Sequence, residues 1–254
     1  MYYLIEKNVF QRQNQDDLIN NLERLGLPYE ITDFLPFSDI FPYDTDRTDI
    51  FPFCSPKMSR LSQKLDWYPG SRLCKNHDYA VYSRYYKENL LNDDSEIVRF
   101  GDEISVQHPF FARPTENTKA FTGRVFTMEE WRAFREEKLA DGGRDILNET
   151  TCIQISSVKE LQNEIRFWIV QGEIITASVY NLGGAYFLGG MIDAAATVFV
   201  KEMVKRFEIN DTFTMDVCLT DKGYKIIECG CTNSAGFYKA DINRLLIALE
   251  NAYA

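Results

Sequence analysis

Two acidic residues stand inside apolar, strand-like runs. Asp216 interrupts FTMDVCL and Glu228 closes the run YKIIE, with the turn-forming triplet Asp221-Lys222-Gly223 between them. The segment reads as a hairpin centred near Lys222, with each carboxylate six residues from that centre. Residues placed so symmetrically face each other on adjacent strands, with Cβ atoms roughly 5 Å apart. Two carboxylates that close repel, and one takes up a proton unless a cation lies between them. A bridging Mg²⁺ resolves the conflict, because a hard cation takes carboxylate oxygens and keeps its other positions for water and phosphate oxygens. After Glu228 the chain runs through CGCTNSAGF. These are mostly small residues that let a ligand come close, and Asn233 among them could offer a neutral oxygen to the same ion.

Three cations sit in comparable places: Arg113 at the end of PFFARP, Lys119 at the start of KAFTG, and Arg166 inside EIRFWIV. Each alone reads equally well as a solvent-facing residue of a half-exposed strand. Arg166, however, shares its strand face with Trp168, so that face is not plainly solvated. Together with the acidic pair, three cations suit a nucleoside triphosphate. Neither GxxxxGK[ST] nor GxGxxG occurs, so the P-loop and Rossmann solutions are not in use. Cys229 and Cys231 form a Cys-x-Cys pair, but with two histidines in the chain they read as packing residues rather than zinc ligands.

The elements that must hold these residues follow from periodicity. YYLI, the helical spacing of QDDLINNLERLG and the run PYEITDFLPF give a strand–helix–strand start, which fits a small parallel-sheet domain. Residues 36–70 are loop-rich, KNHDYAVYSRYYKENLL reads as a helix, and DDSEIVRFGDEIS reads as a connector. HPFFARP and KAFTGRVF are expected as strands joined by the turn Thr-Glu-Asn-Thr. Thr127 and Glu130 then form a capping box for the helix TMEEWRAFREEKL. TTCIQISSV is a further strand, and EIRFWIVQGEIITASVY a hairpin turning at Gln171-Gly172. AATVFVKEMVKRF is an amphipathic helix, and YKADINRLLIALENAY closes the chain as another. The class is α+β, with antiparallel sheets. The expected partition is residues 1–100 and 101–254, the latter in lobes of about 101–150 and 151–254.

Bulk properties narrow the partners. The net charge of −10 argues against broad nucleic-acid binding and against anionic membranes. No apolar run is long enough for a membrane helix, the first ten residues lack a signal-peptide pattern, and the six scattered cysteines fit reduced thiols in the cytoplasm.

With these residues in order, the segment from about 109 to 245 resembles the ATP-grasp superfamily of carboxylate–amine ligases. The resemblance rests on RPTENTKAFTGRVF, then CIQISSVKELQNEIRFWIVQGEIITASVY, then MDVCLTDKGYKIIECGCTNSAGFYKAD, and it covers more than half of the chain. It is nearest to a small branch common in bacteriophages and bacteria, with an arginine at the first phosphate-binding lysine position. It implies a two-lobed ATP-grasp fold behind a small α/β N-terminal domain, with ATP and Mg²⁺ as cofactors. The host cytoplasm would be the location if the chain is phage-encoded. Arg113 and Lys119 would flank the loop over the ATP phosphates, and the strand of Gln154, Ile155 and Ser156 would read adenine through its backbone. Arg166 would contact the transferred phosphate, with Arg166 and Lys119 as the catalytic cations, and Asp216, Glu228 and Asn233 would hold the metal. The implied reaction joins a carboxylate to the amine of an amino acid, peptide or protein through an acyl-phosphate. Two departures stand out: Glu228-Cys229-Gly230 replaces the usual Glu-x-Asn, and the loop Thr115–Thr118 is short and lacks glycine. They keep two alternatives open, a weak ATP-binding module acting through protein contacts and a phosphotransferase.

Overall fold

The computed structural model describes residues 1–7, 9–34, 41, 43–116, 118, 120–140, 147–182, 185–186 and 188–254. In chain order the elements begin with β1 (Tyr2–Glu6), α1 (Arg12–Leu25), β2 (Tyr29–Thr32), β3 (Ile50–Phe53), α2 (Pro56–Ser62), α3 (Tyr79–Tyr86) and β4 (Glu96–Arg99). There follow β5 (Phe110–Pro114), β6 (Arg124–Phe126), α4 (Met128–Ala140) and β7 (Cys152–Ser157). The chain ends with β8 (Asn163–Val170), β9 (Glu173–Leu182), β10 (Ala185–Tyr186), α5 (Ala194–Arg206), β11 (Thr212–Thr220), β12 (Gly223–Cys231) and α6 (Ile242–Tyr253).

Contacts divide the chain into two compact units, Met1–Cys74 with Leu161–Ala254, and Lys75–Glu160. The expected boundaries stood near residues 100 and 150. The first unit carries two sheets. One is parallel, in the order β2-β1-β3, and matches the strand–helix–strand start. The other is antiparallel, in the order β10-β9-β8-β11-β12. Trp168 and Val170 of β8 pack with Leu245, Leu246 and Leu249 of α6 and with Tyr3, Phe51 and Phe53 of the parallel sheet. The face that carries Arg166 two residues before Trp168 is therefore a covered face.

Both hairpins form where the turn residues require. Val170 pairs with Glu173, and Gln171 and Gly172 between them have φ of 52° and 75°. Two positive φ values are what a tight two-residue hairpin loop demands. In the second hairpin Thr220 pairs with Gly223, so the loop is Asp221-Lys222 and its centre lies half a residue earlier than expected. A bulge between Asp216 and Val217 leaves Ile227 as an extra residue on β12 and restores the pairing of Asp216 with Glu228.

The second unit holds the antiparallel sheet β4-β7-β5-β6. Phe110, Ala112, Ile153 and Ile155 face a core built with Phe100, Phe126 and Trp131 of α4. The segment read as a connector contains β4, which pairs along β7 from Glu96 opposite Ile155 to Arg99 opposite Cys152. Among the described residues of KAFTGRVF the strand is Arg124–Phe126. The link from β5 is therefore longer than a four-residue turn, and Lys119 lies outside the described residues. The capping box of α4 forms as expected: Glu130 N donates to Thr127 Oγ1 at 3.2 Å, and Thr127 N donates to Glu130 Oε2 at 2.8 Å.

Candidate active site

In the five-stranded sheet, register alone brings three of the expected residues together. Asp216 on β11 lies opposite Arg166 on β8 and opposite Glu228 on β12. The guanidinium grips Asp216 through two parallel bonds, Nε to Oδ1 and Nη2 to Oδ2, both 2.7 Å. Glu228 Oε1 stands 3.8 Å from Nη2. Asp216 is almost fully buried, whereas the Glu228 side chain is 30 % exposed. A charged carboxylate at that depth needs a partner, and Arg166 supplies it.

Four further residues complete the cluster. The Tyr180 hydroxyl on β9 lies 2.9 Å from Glu164 Oε2 and 3.2 Å from Asp216 Oδ2. Asn181 Nδ2 donates to Glu164 Oε1 at 2.7 Å. Tyr238 stacks on Tyr180 with ring centroids 4.8 Å apart. Glu164 could have been found from alternation, being two residues before Arg166 on one strand. Tyr180 needed the β8–β9 register, and Tyr238 sits in a loop where sequence offers no face to read.

Burial pushes the Asp216 carboxyl up; Arg166 pulls it back down, and the nearby Glu228 adds to the rise. Glu164 is also raised, first by burial, and Tyr180 is raised well above its ordinary value by burial and by Asp216. The donor set suits a hard cation. Of roughly four lone-pair positions of its carboxylate, Asp216 gives two to Arg166, and a third faces the Tyr180 hydroxyl, whose single proton it shares with Glu164. One position there, together with Glu228, can face an ion whose other ligands are phosphate oxygens and water. Among the described residues no three His, Cys, Asp or Glu side chains form a metal-holding group.

Asn233 is not brought to this pair. It is fully buried; its Nδ2 donates to Pro52 O at 2.6 Å, and its Oδ1 accepts from Arg72 N at 2.6 Å and from the Cys231 thiol at 3.2 Å. Cys231 and Glu228 are three apart on β12, so their side chains leave opposite faces. The amide thus ties β3 and the segment around Arg72 to the end of β12.

The second unit carries its own polar face. Arg113 pairs with Gln154 and Phe111 with Ser156, so these four side chains share one side of the sheet. Ile155 points to the other side, into the core. Gln154 and Ile155 are paired to both β4 and β5, and Ser156 to Phe111. The strand expected to read adenine through its backbone is thus β7, which lies between β4 and β5. Among the described residues the buried hydroxyls of Ser156 and Thr115 have no hydrogen-bond partner. Gly123 lies against the same face, where a Cβ would stand 2.6 Å from Phe111 Cζ and 3.1 Å from Arg113 Cβ. Unsatisfied buried hydroxyls beside a cation fit a polar, anionic ligand.

Solved structures share this architecture over nearly the whole chain. D-alanine–D-alanine ligase from Bacillus anthracis superposes with a TM-score of 0.65 at 10% identity, covering 99% of this chain and 96% of that one. L-amino acid ligase from Bacillus licheniformis gives 0.62 at 12%, covering 99% and 73%. The ATP-grasp ligase PsnB, solved with a phosphomimetic variant of its minimal precursor, Mg and ADP, gives 0.55 at 10%, covering 99% and 96%. No curated protein sequence matches the chain. At such identities the likeness establishes the ATP-grasp fold, the class expected from the sequence. The model of an ATP-grasp domain, family 3 of its clade, matches residues 50–249, and the chain belongs to that ATP-grasp family.

Proposed function

We propose that the protein is an ATP- and Mg²⁺-dependent ligase that joins a carboxylate to an amine through an acyl-phosphate, releasing ADP and phosphate. The observation that carries this reading is the Arg166–Asp216–Glu228 cluster, three residues on adjacent strands inside the family match. Asp216 and Glu228 would hold Mg²⁺, which when bound neutralises phosphoryl charge. Arg166 keeps donors for the oxygens of the transferred phosphate and of the acyl-phosphate. Arg113 and Lys119 would bind the phosphates of ATP, and the backbone of Gln154, Ile155 and Ser156 would read adenine. The carboxylate substrate supplies the nucleophile, so positioning and charge neutralisation carry the catalysis, and Cys229 and Cys231 remain buried packing residues.

The amine acceptor is an amino acid, peptide or protein. One ligase of similar fold is an L-amino acid ligase and another is solved with a precursor peptide, and this supports a peptide as readily as an amino acid. No helix of the described residues is long and apolar enough to cross a membrane. One observation favours a second reading, an ATP-binding module with weak turnover: Gly230 stands where an asparagine is usual, and the Asn233 amide is committed elsewhere. ADP release is the discriminating assay, run with Mg·ATP against pooled amino acids, dipeptides and host extract. Turnover that requires both a carboxylate and an amine supports the ligase, ADP release without an amine points to a phosphotransferase, and ATP binding without ADP release points to the module.

A further inference from the structure

Arg166 is held on more than one side. Among the described residues three of its five N–H groups make hydrogen bonds, Nε and Nη2 to Asp216 and Nη1 to Gly236 O at 3.3 Å, which leaves two. The salt bridge fixes one edge of the guanidinium but leaves its plane able to tilt about the carboxylate. Two rings limit that tilt: Arg166 Cζ lies 5.1 Å from the centroid of Tyr238 and 5.7 Å from that of Tyr180. The rings are stacked at 13°, nearly parallel.

Both rings are anchored from β9. Tyr180 is on that strand, and its hydroxyl is fixed between Glu164 and Asp216. Tyr238 has φ of 54°, a left-handed conformation uncommon for an aromatic residue. The turn is held by Lys239 N donating to Ser178 Oγ at 3.1 Å and Asp241 N donating to Thr176 Oγ1 at 2.8 Å, and Ser178 is the residue opposite Arg166. Backbone strain kept in place by such ties is characteristic of sites where a side chain must be aimed.

We infer that Tyr180 and Tyr238 are positioning residues, an aromatic clamp that fixes the guanidinium plane of Arg166 so that its two remaining N–H groups stay directed at an anionic ligand. The inference deepens the reading of Arg166 as the residue that meets the transferred phosphate, and it rests on that reading.

Two readouts separate the clamp from the reaction. In ¹⁵N-labelled protein the Arg166 guanidinium signals are assigned by their loss in Arg166→Lys. The wild type should show separate Nη resonances, Tyr238→Phe should keep them, and Tyr238→Leu, in which Asp216 still holds Nε and Nη2 but the plane is no longer steadied, should broaden them through faster exchange about Nε–Cζ. In ADP release, Tyr238→Leu should lower kcat roughly tenfold with KM for ATP changed by less than about threefold, and Tyr238→Phe should stay within about twofold of wild type. Wild-type Nη resonances together with wild-type kcat in Tyr238→Leu would overturn the clamp. Averaged Nη resonances in the wild type would overturn it as well, even if the leucine variant does not fold. If the wild type releases no ADP, the ligase reading falls while the spectra still decide the clamp.

Discussion

Asn233 separates two accounts of the segment that follows β12. In the structure it is a tie: Asn233→Ala deletes the donor to Pro52 O and the acceptor of Arg72 N, each at 2.6 Å, in a fully buried position. A polar group left buried without its partner costs about 1–3 kcal/mol. Two such groups give roughly 2–6 kcal/mol, and we take about 3 kcal/mol because Arg72 is only partly buried. For a chain of this size that lowers Tm by roughly 6–12 °C. Asn233→Asp is the sharper variant, because it keeps Oδ1 for Arg72 but sets an acceptor against the Pro52 carbonyl. It should destabilise at least as much as alanine, whereas an aspartate at a metal position would retain the ion. Thermal unfolding followed by circular dichroism, with Mg·ATP titration below the transition, reads both effects. An unchanged Tm with Mg²⁺-dependent binding lost in alanine and kept in aspartate would refute the tie and make Asn233 a ligand.

Other outcomes follow from single contacts. Gly123→Ala places a methyl group against Phe111 and Arg113, should cost about 1–3 kcal/mol, and should weaken ATP binding by displacing Arg113; unchanged Tm and affinity would show that the face tolerates the atom. Thr127→Ala removes the cap of α4 and should cost about 1 kcal/mol in denaturant unfolding, and a change below about 0.3 kcal/mol would contradict the capping box. Asp193 caps α5, and the bonds from Ala195 N and then from the Tyr224 hydroxyl hold its carboxyl below the ordinary range. Its stabilisation is therefore complete above the unfolded value of about 3.9 and is lost as pH falls through the lower folded value. Asp193→Asn keeps a capping oxygen without the titration, so stability should depend less on pH below about 4 than in wild type, and equal slopes would refute the assignment.

Much of this was legible because strands announce themselves by alternation and hairpins by their turns. Gln171-Gly172 set one hairpin, and the symmetry about Lys222 put Asp216 opposite Glu228. That second success needed help the sequence does not display. The loop is centred earlier, and only the bulge at Ile227 restores the pair. β4 was missed because EIVR is short and its residues are largely exposed, so no alternation marked it. The role of Asn233 was hidden because its partners, Pro52 and Arg72, are more than 150 residues away. Tyr238 was hidden for a similar reason: its place over Arg166 depends on a backbone angle and on bonds to β9, none of which has a periodicity.

The central claim is that Asp216 and Glu228 form, with Arg166, the place where Mg·ATP is bound. Isothermal titration of ATP into the wild type and into Asp216→Asn/Glu228→Gln, each with and without Mg²⁺, tests it most directly. The account predicts Mg²⁺-dependent binding in the wild type that the double variant loses while keeping its fold. Equal Mg²⁺-dependent binding in both proteins, or none in the wild type, would contradict it.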